Sequence, residues 1–151
     1  MGVKVRISGL VELNQALGRL PRATQKNVVR RVLKKAGEPI EHAAETHAPV
    51  KRGILKRSIA TSTRLSKRQA RINRKTVAKQ KGSVQVFVGA GNYPYAHMQE
   101  FGTVRIPEQP FLGPAFEMNK HRALGIIKTE LGIEITKAAK RLARRAAKVR
   151  K

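Results

Sequence analysis

The sequence predicts an α+β fold: a small, mostly antiparallel sheet packed against long helices, with a basic hairpin extension and a long C-terminal helix. Three observations carry this. Apolar residues recur at helical spacing, first Leu10, Leu13, Leu17 and Leu20, then Val28, Val29, Val32, Leu33, Ala36, Ile40, Ala43 and Ala44. Ser83 to Gly89 alternates as a half-buried strand does. The stretch from about 114 to 148 reads as one more long helix, rich in Ala along its basic tail.

The elements follow in order. Val3, Val5 and Ile7 alternate with Lys4 and Arg6, which predicts a short first strand. Ser8-Gly9 breaks it, and Ser8 can cap a helix over 10–20. Pro21 ends that helix and suits the first turn of the next, which keeps one apolar face to about residue 47. Gly37 and Pro39 fall inside this run. A kink is expected there, because Pro39 has no N–H to donate to the Lys35 carbonyl. Ala48-Pro49 ends the helix. A strand near 58–64 is expected to pair antiparallel with 83–89, with the residues between them as the hairpin tip. Gly89 to Asn92 reads as a turn, and Tyr95 to Phe101 as a short helix capped by Gly102. Thr103 to Gln109 is irregular or a short edge strand. Pro110 to Phe116 is a Pro-framed start to the last helix, which Gly125 and Gly132 weaken. The 151 residues suit one domain, 1–151, with no internal repeat.

Charge is the dominant compositional feature. The chain has 33 Lys+Arg against nine acids, all Glu, for a formal charge of +24. Two segments hold 16 of those units: Arg64 to Lys81, and Lys137 to Lys151. The segment at 64–81 reads as a long exposed loop or hairpin extension. That at 137–151 reads as a helical tail with a thin apolar stripe and a broad cationic face. Candidate contacts with DNA or an acidic partner are Arg64, Lys67, Arg68, Arg71, Arg74 and Lys75 in the first, and Lys140, Arg141, Arg144 and Arg145 in the second.

Several chemistries find no support. Without Cys there is no disulfide, thiolate metal site or Cys nucleophile. No apolar run approaches the ~18 residues of a membrane span, so a soluble chain made in the cytoplasm is expected, with no membrane partner. His42 and His47 diverge on their helix, and His97 with Glu100 supplies only two ligands, so no metal site is assigned. Glu38, Glu41 and Glu45 read as surface charges paired with Lys34, Lys35 or His42. No phosphate-binding Gly loop or nucleophile elbow occurs, and Ser58 has no evident base. No catalytic residue and no cofactor is assigned, and the expectation is a protein without enzymatic activity.

Three stretches stand out instead: Ala48 to Ile59, Tyr95 to Thr103, and Pro110 to Glu117. With Gly9-Leu10-Val11-Glu12-Leu13 before them and Val88-Gly89 between, their order resembles that of the neck and tail-completion proteins of long-tailed bacteriophages. That group includes head–tail joining proteins, tail components and minor tail proteins of the Z type. The resemblance spans roughly residues 7–130. The motif positions are Pro49, Gly53, Leu55, Ser58, Tyr95, His97, Glu100, Phe101, Gly102, Pro110, Phe111 and Phe116. The resemblance implies a structural virion protein that forms a homo-oligomeric ring, hexameric or similar, at the head–tail junction around the DNA channel. Its implied neighbours are head-completion and tail-terminator or tail-tube proteins, with non-specific contact to genomic DNA. The motif residues would then lie at a subunit interface or brace the sheet. The competing reading, from charge alone, is a free basic nucleic-acid-binding or architectural protein.

Overall fold

The computed structural model describes residues 10–51, 53–72 and 83–149. The expected strand at 3–7, the Ser8 cap, and the candidates Arg74 and Lys75 lie outside these residues. The order is α1 (Leu10–Gly18), α2 (Arg22–His47), α3 (Ile54–Ser58), β1 (Ala60–Ser62), α4 (Lys67–Ile72), β2 (Phe87–Gly89), α5 (Ala96–Phe101) and α6 (Leu112–Val149). β1 and β2 form an antiparallel two-stranded sheet, with Thr61 opposite Val88. The fold is α+β, as expected.

Two long helices, α2 and α6, form the frame. α2 buries Val28, Val32, Ala36, Gly37, Ile40 and Ala44, a stripe at three- and four-residue spacing. α6 answers with Ala115, Ala123, Ile135 and Ala138. The pairing is antiparallel. Val28 packs with Ile135 and Ala138, Ala36 and Ile40 with Ala123, and Ala44 and Ala48 with Phe111 and Ala115. Arg31 meets Glu134 at 2.9 Å and Lys35 meets Glu130 at 2.6 Å, which fixes the same register. The Glu130 hydrogen bond raises the Lys35 pKa above its ordinary value. α1 lies against the far part of α6, where Leu20 joins Val28, Ile135 and Ala138.

Several expectations are corrected, while α2 runs on through Pro39 as one helical segment in which Gly37 is buried. A Cβ there would stand 2.9 Å from Thr61 Cγ2, so the bare backbone lets β1 rest on the helix. Glu41 does not pair with a neighbouring cation; its carboxylate accepts the Thr61 N–H at 2.9 Å and ties β1 to α2. The strands are shorter than predicted. Residues 54–58 are helical, so β1 starts at Ala60, and β2 starts at Phe87. The segment expected as a hairpin tip begins as a helix, α4, whose start is held by mutual hydrogen bonds between Ser66 and Gln69. α6 also starts two residues earlier than predicted, for a reason found in the site below, and Gly125 and Gly132 leave it unbroken.

Candidate functional site

The three motif stretches converge on one end of the α2–α6 pair. Ala44, Ala48, Leu55, Ile59, Ala90, Phe111 and Ala115 form a single buried cluster there, with Tyr93, Ala96 and Leu112 against it. Each motif contributes a backbone device that aims its apolar residue inward. Gly53 adopts φ 67°, a left-handed turn that starts α3 and delivers Leu55 to the core. The Ser58 hydroxyl donates to the Leu55 carbonyl at 2.7 Å. Pro49 is half-buried beside the end of α2.

Glu100 joins the second motif to the third. Its carboxylate accepts the N–H groups of Phe111 and Leu112 at 2.9 Å each and of Gly113 at 2.7 Å. Those are donors that the start of α6 cannot satisfy within the helix, and a negative charge suits that end of the helix dipole. The chain reaches this position by a tight return. Gly102, at φ 70° and ψ −179°, takes a conformation open to glycine. A Cβ there would stand 2.9 Å from Glu108 N. Thr103 N donates to Ile106 O at 2.8 Å, and Gln109 N to Gln99 O at 2.8 Å. The geometry predicts that Glu100→Gln lowers stability by about 1–2 kcal/mol, since a charge-assisted cap becomes a neutral one. Urea unfolding measures this; a change within about 0.3 kcal/mol would show that the cap contributes little.

The remaining motif residues face outward. Tyr95, His97, Phe101, Pro110 and Phe116 are exposed, Phe101 to 77% and Phe116 to 52%. His97 Nδ1 lies 3.0 Å from the Pro94 carbonyl, a local contact that explains its orientation without a ligand. No group of three potential metal ligands occurs among the described residues. No described helix is long and apolar enough to cross a membrane.

The opposite end carries the charge. Residues 10–35, 64–72 and 128–149 hold 18 Lys/Arg against three Glu. Residues 36–51, 53–63 and 83–127 hold six of each. The antiparallel register causes this segregation, because it puts the start of α2 beside the end of α6. Lys140, Arg141, Arg144 and Arg145 are exposed on α6, and Arg64, Lys67, Arg68 and Arg71 on and before α4. Leu65 and Ala70 line a hollow of about 380 Å³ together with Lys26 and Arg30 of α2, and the Gln69 amide donates to the Gly91 carbonyl at 2.7 Å, which ties α4 to the turn after β2. Lys26 and Arg30 were absent from the sequence-based candidates. Their signal is the four-residue spacing Arg22–Lys26–Arg30, one exposed stripe opposite Val28 and Val32.

The described residues thus combine a helical frame with a neutral, motif-built end and a cationic pole. The family model described as bacteriophage HK97-gp10, putative tail-component, matches residues 12–102. The chain belongs to that family, which makes it a structural component of a phage tail and so of the virion. The match ends at Gly102, so α6 lies beyond it, attached to the matched part through the Glu100 cap and the core. No curated protein and no solved structure matches the chain.

Proposed function

We propose that this protein forms a homo-oligomeric ring at the head–tail junction of a long-tailed phage, around the channel that the genome crosses. Charge segregation is the observation that supports this. Two cationic poles brought together repel each other, whereas the neutral ends carry no such penalty. The neutral end also exposes Val50, Ile54, Tyr95, Phe101, Val104 and Ile106. Copies of the chain meet through that end, and each pole stays available for an anion. The anion is DNA phosphate in the lumen, or the acidic face of a head-completion, tail-terminator or tail-tube protein. Contacts with phosphate are independent of sequence and weaken with salt, which suits a passage through which DNA must slide. The protein acts by shape and charge, with no chemical step.

Light scattering of the purified chain at physiological salt tests the reading. One species of several chains is expected, and Phe101→Ser with Val104→Ser should return it to monomers. A chain that stays monomeric at every concentration, and shifts duplex DNA at low salt, would instead be a free nucleic-acid-binding protein.

A further inference from the structure

We infer that the end of α6, Lys140 to Lys148, binds duplex DNA as a helix seated in the major groove. This rests on the reading that the cationic pole meets an anion, and it names duplex DNA as that anion. Leu142 is the last residue of α6 that packs on the cluster of Leu20, Val28, Ile135 and Ala138. From Ala143 to Lys148 every side chain is exposed, the alanines included. This stretch is about 9 Å long at 1.5 Å per residue, and it stands clear of the body among the described residues. At about 100° per residue, Lys140, Arg141, Arg144, Arg145 and Lys148 fall within an arc of about 140°. Leu142, which faces the body, lies outside that arc, so the cationic face is turned outward. Ala143, Ala146 and Ala147 form the back of the helix and keep it thin.

Like charges four residues apart, Lys140 with Arg144, Arg141 with Arg145 and Arg144 with Lys148, disfavour this helix on its own. No acid occurs from Ile135 to Lys151 to offset them. An anion laid along the outer face removes that cost. Density and shape select duplex DNA over an acidic protein. The five cations occupy about 12 Å of helix axis. Duplex DNA carries one charge per about 1.7 Å, or about seven over the same length. A protein face with carboxylates at that density would repel itself. A helix about 10–12 Å across also matches a major groove about 12 Å wide. The two phosphate backbones then flank the helix, and a broad cationic arc reaches both. Such contacts go to phosphate, so the seat is independent of base sequence.

A proline separates a seated helix from a loose polycation, because it breaks the helix and leaves the charge unchanged. Ala146→Pro and, as its control, Ala146→Ser are prepared in the full chain. Each is titrated against a duplex of about 30 base pairs at several salt concentrations. Methylation of guanine N7, an acceptor in the major groove, reports on the seat. The parent and Ala146→Ser are expected to bind alike and to protect N7. Ala146→Pro should bind several-fold more weakly and lose the protection. Its melting temperature should stay nearly unchanged, because Ala146 is exposed. If Ala146→Pro binds and protects as the parent does, the helix is not the bound form and the inference fails. Binding by the parent without N7 protection also overturns it, and leaves the pole as a polycation that follows the backbone. A parent that does not bind the duplex overturns it as well, and assigns the end of α6 to an acidic protein. Light scattering decides the ring reading separately, so failure of the seat and failure of the ring are distinguishable.

Discussion

Replacing Phe111 with alanine is expected to lower stability by about 3–5 kcal/mol. Phe111 is fully buried, and it is the largest such side chain among the described residues. It stands where α2, α3, the turn after β2 and the start of α6 meet, against Ala44, Ala48, Leu55 and Ala90. The surrounding alanines are too small to move into the space, so the site cannot collapse and the cavity stays open. A domain of this size has only about 5–15 kcal/mol in hand, so the variant should unfold at markedly lower urea concentration. Phe116 supplies the control. It belongs to the same motif but is 52% exposed, and Phe116→Ala should change stability by less than about 1 kcal/mol. If the two variants lose similar stability, Phe111 does not hold this end together.

That contrast shows what the motif spelling conveys and what it leaves out. Pro110 to Phe116 announces a helix start from its prolines alone. Which phenylalanine points inward depends on the face of α6 that meets α2, and a motif does not carry that. The frame itself was legible, because Leu13–Leu20 and Val28–Ala44 repeat at helical spacing over many residues. The sheet was legible as a pairing, with both strands overestimated. Ile54 to Ser58 could be extended by pattern, but the left-handed Gly53 turns it into a helix. α4 was read as loop because Lys and Arg dominate it, although both are good helix formers. The Glu100 cap was not legible at all. It joins residues 11–13 apart through a return that Gly102 makes possible, and local periodicity does not register such contacts. Gly37 has a packing role that periodicity does not show. Its neighbour in space, Thr61, lies 24 positions away, so its role as a packing platform emerges only in three dimensions. The cationic pole was half legible. Both basic segments were found, but the Arg22–Lys26–Arg30 stripe of α2 was not among the candidates.

Neutralising the pole should change DNA binding far more than neutralising the same amount of charge elsewhere. Lys26, Arg30, Arg141, Arg144, Arg145 and Lys148 are exposed, and each can become Gln without entering the core. A second variant replaces Lys51, Lys56, Arg57, Arg105, Lys120 and Arg122, the six Lys and Arg of the neutral end among the described residues. Both variants lower the formal charge of +24 by six, so total charge is held constant between them. If the pole is the phosphate-facing surface, each of its contacts releases about 0.9 counterion equivalents. The slope of log affinity against log salt on a duplex of about 30 base pairs should then fall by up to about 5 in the pole variant. At moderate salt this amounts to a loss of several orders of magnitude. The second variant should keep its slope within about one unit of the parent. Thermal unfolding of both provides the folding control. Stability is expected to hold or rise slightly in the pole variant, because like charges crowded at one end destabilise the compact state. Equal losses in slope would mean that DNA responds to net charge wherever it lies, and the segregation produced by the antiparallel register would then have no role in binding. A slope unchanged in the pole variant would direct the cationic end toward an acidic protein ring instead. Binding to such a ring would depend on a few fixed carboxylates, so Arg→Lys substitutions at the pole should weaken it while leaving DNA binding intact.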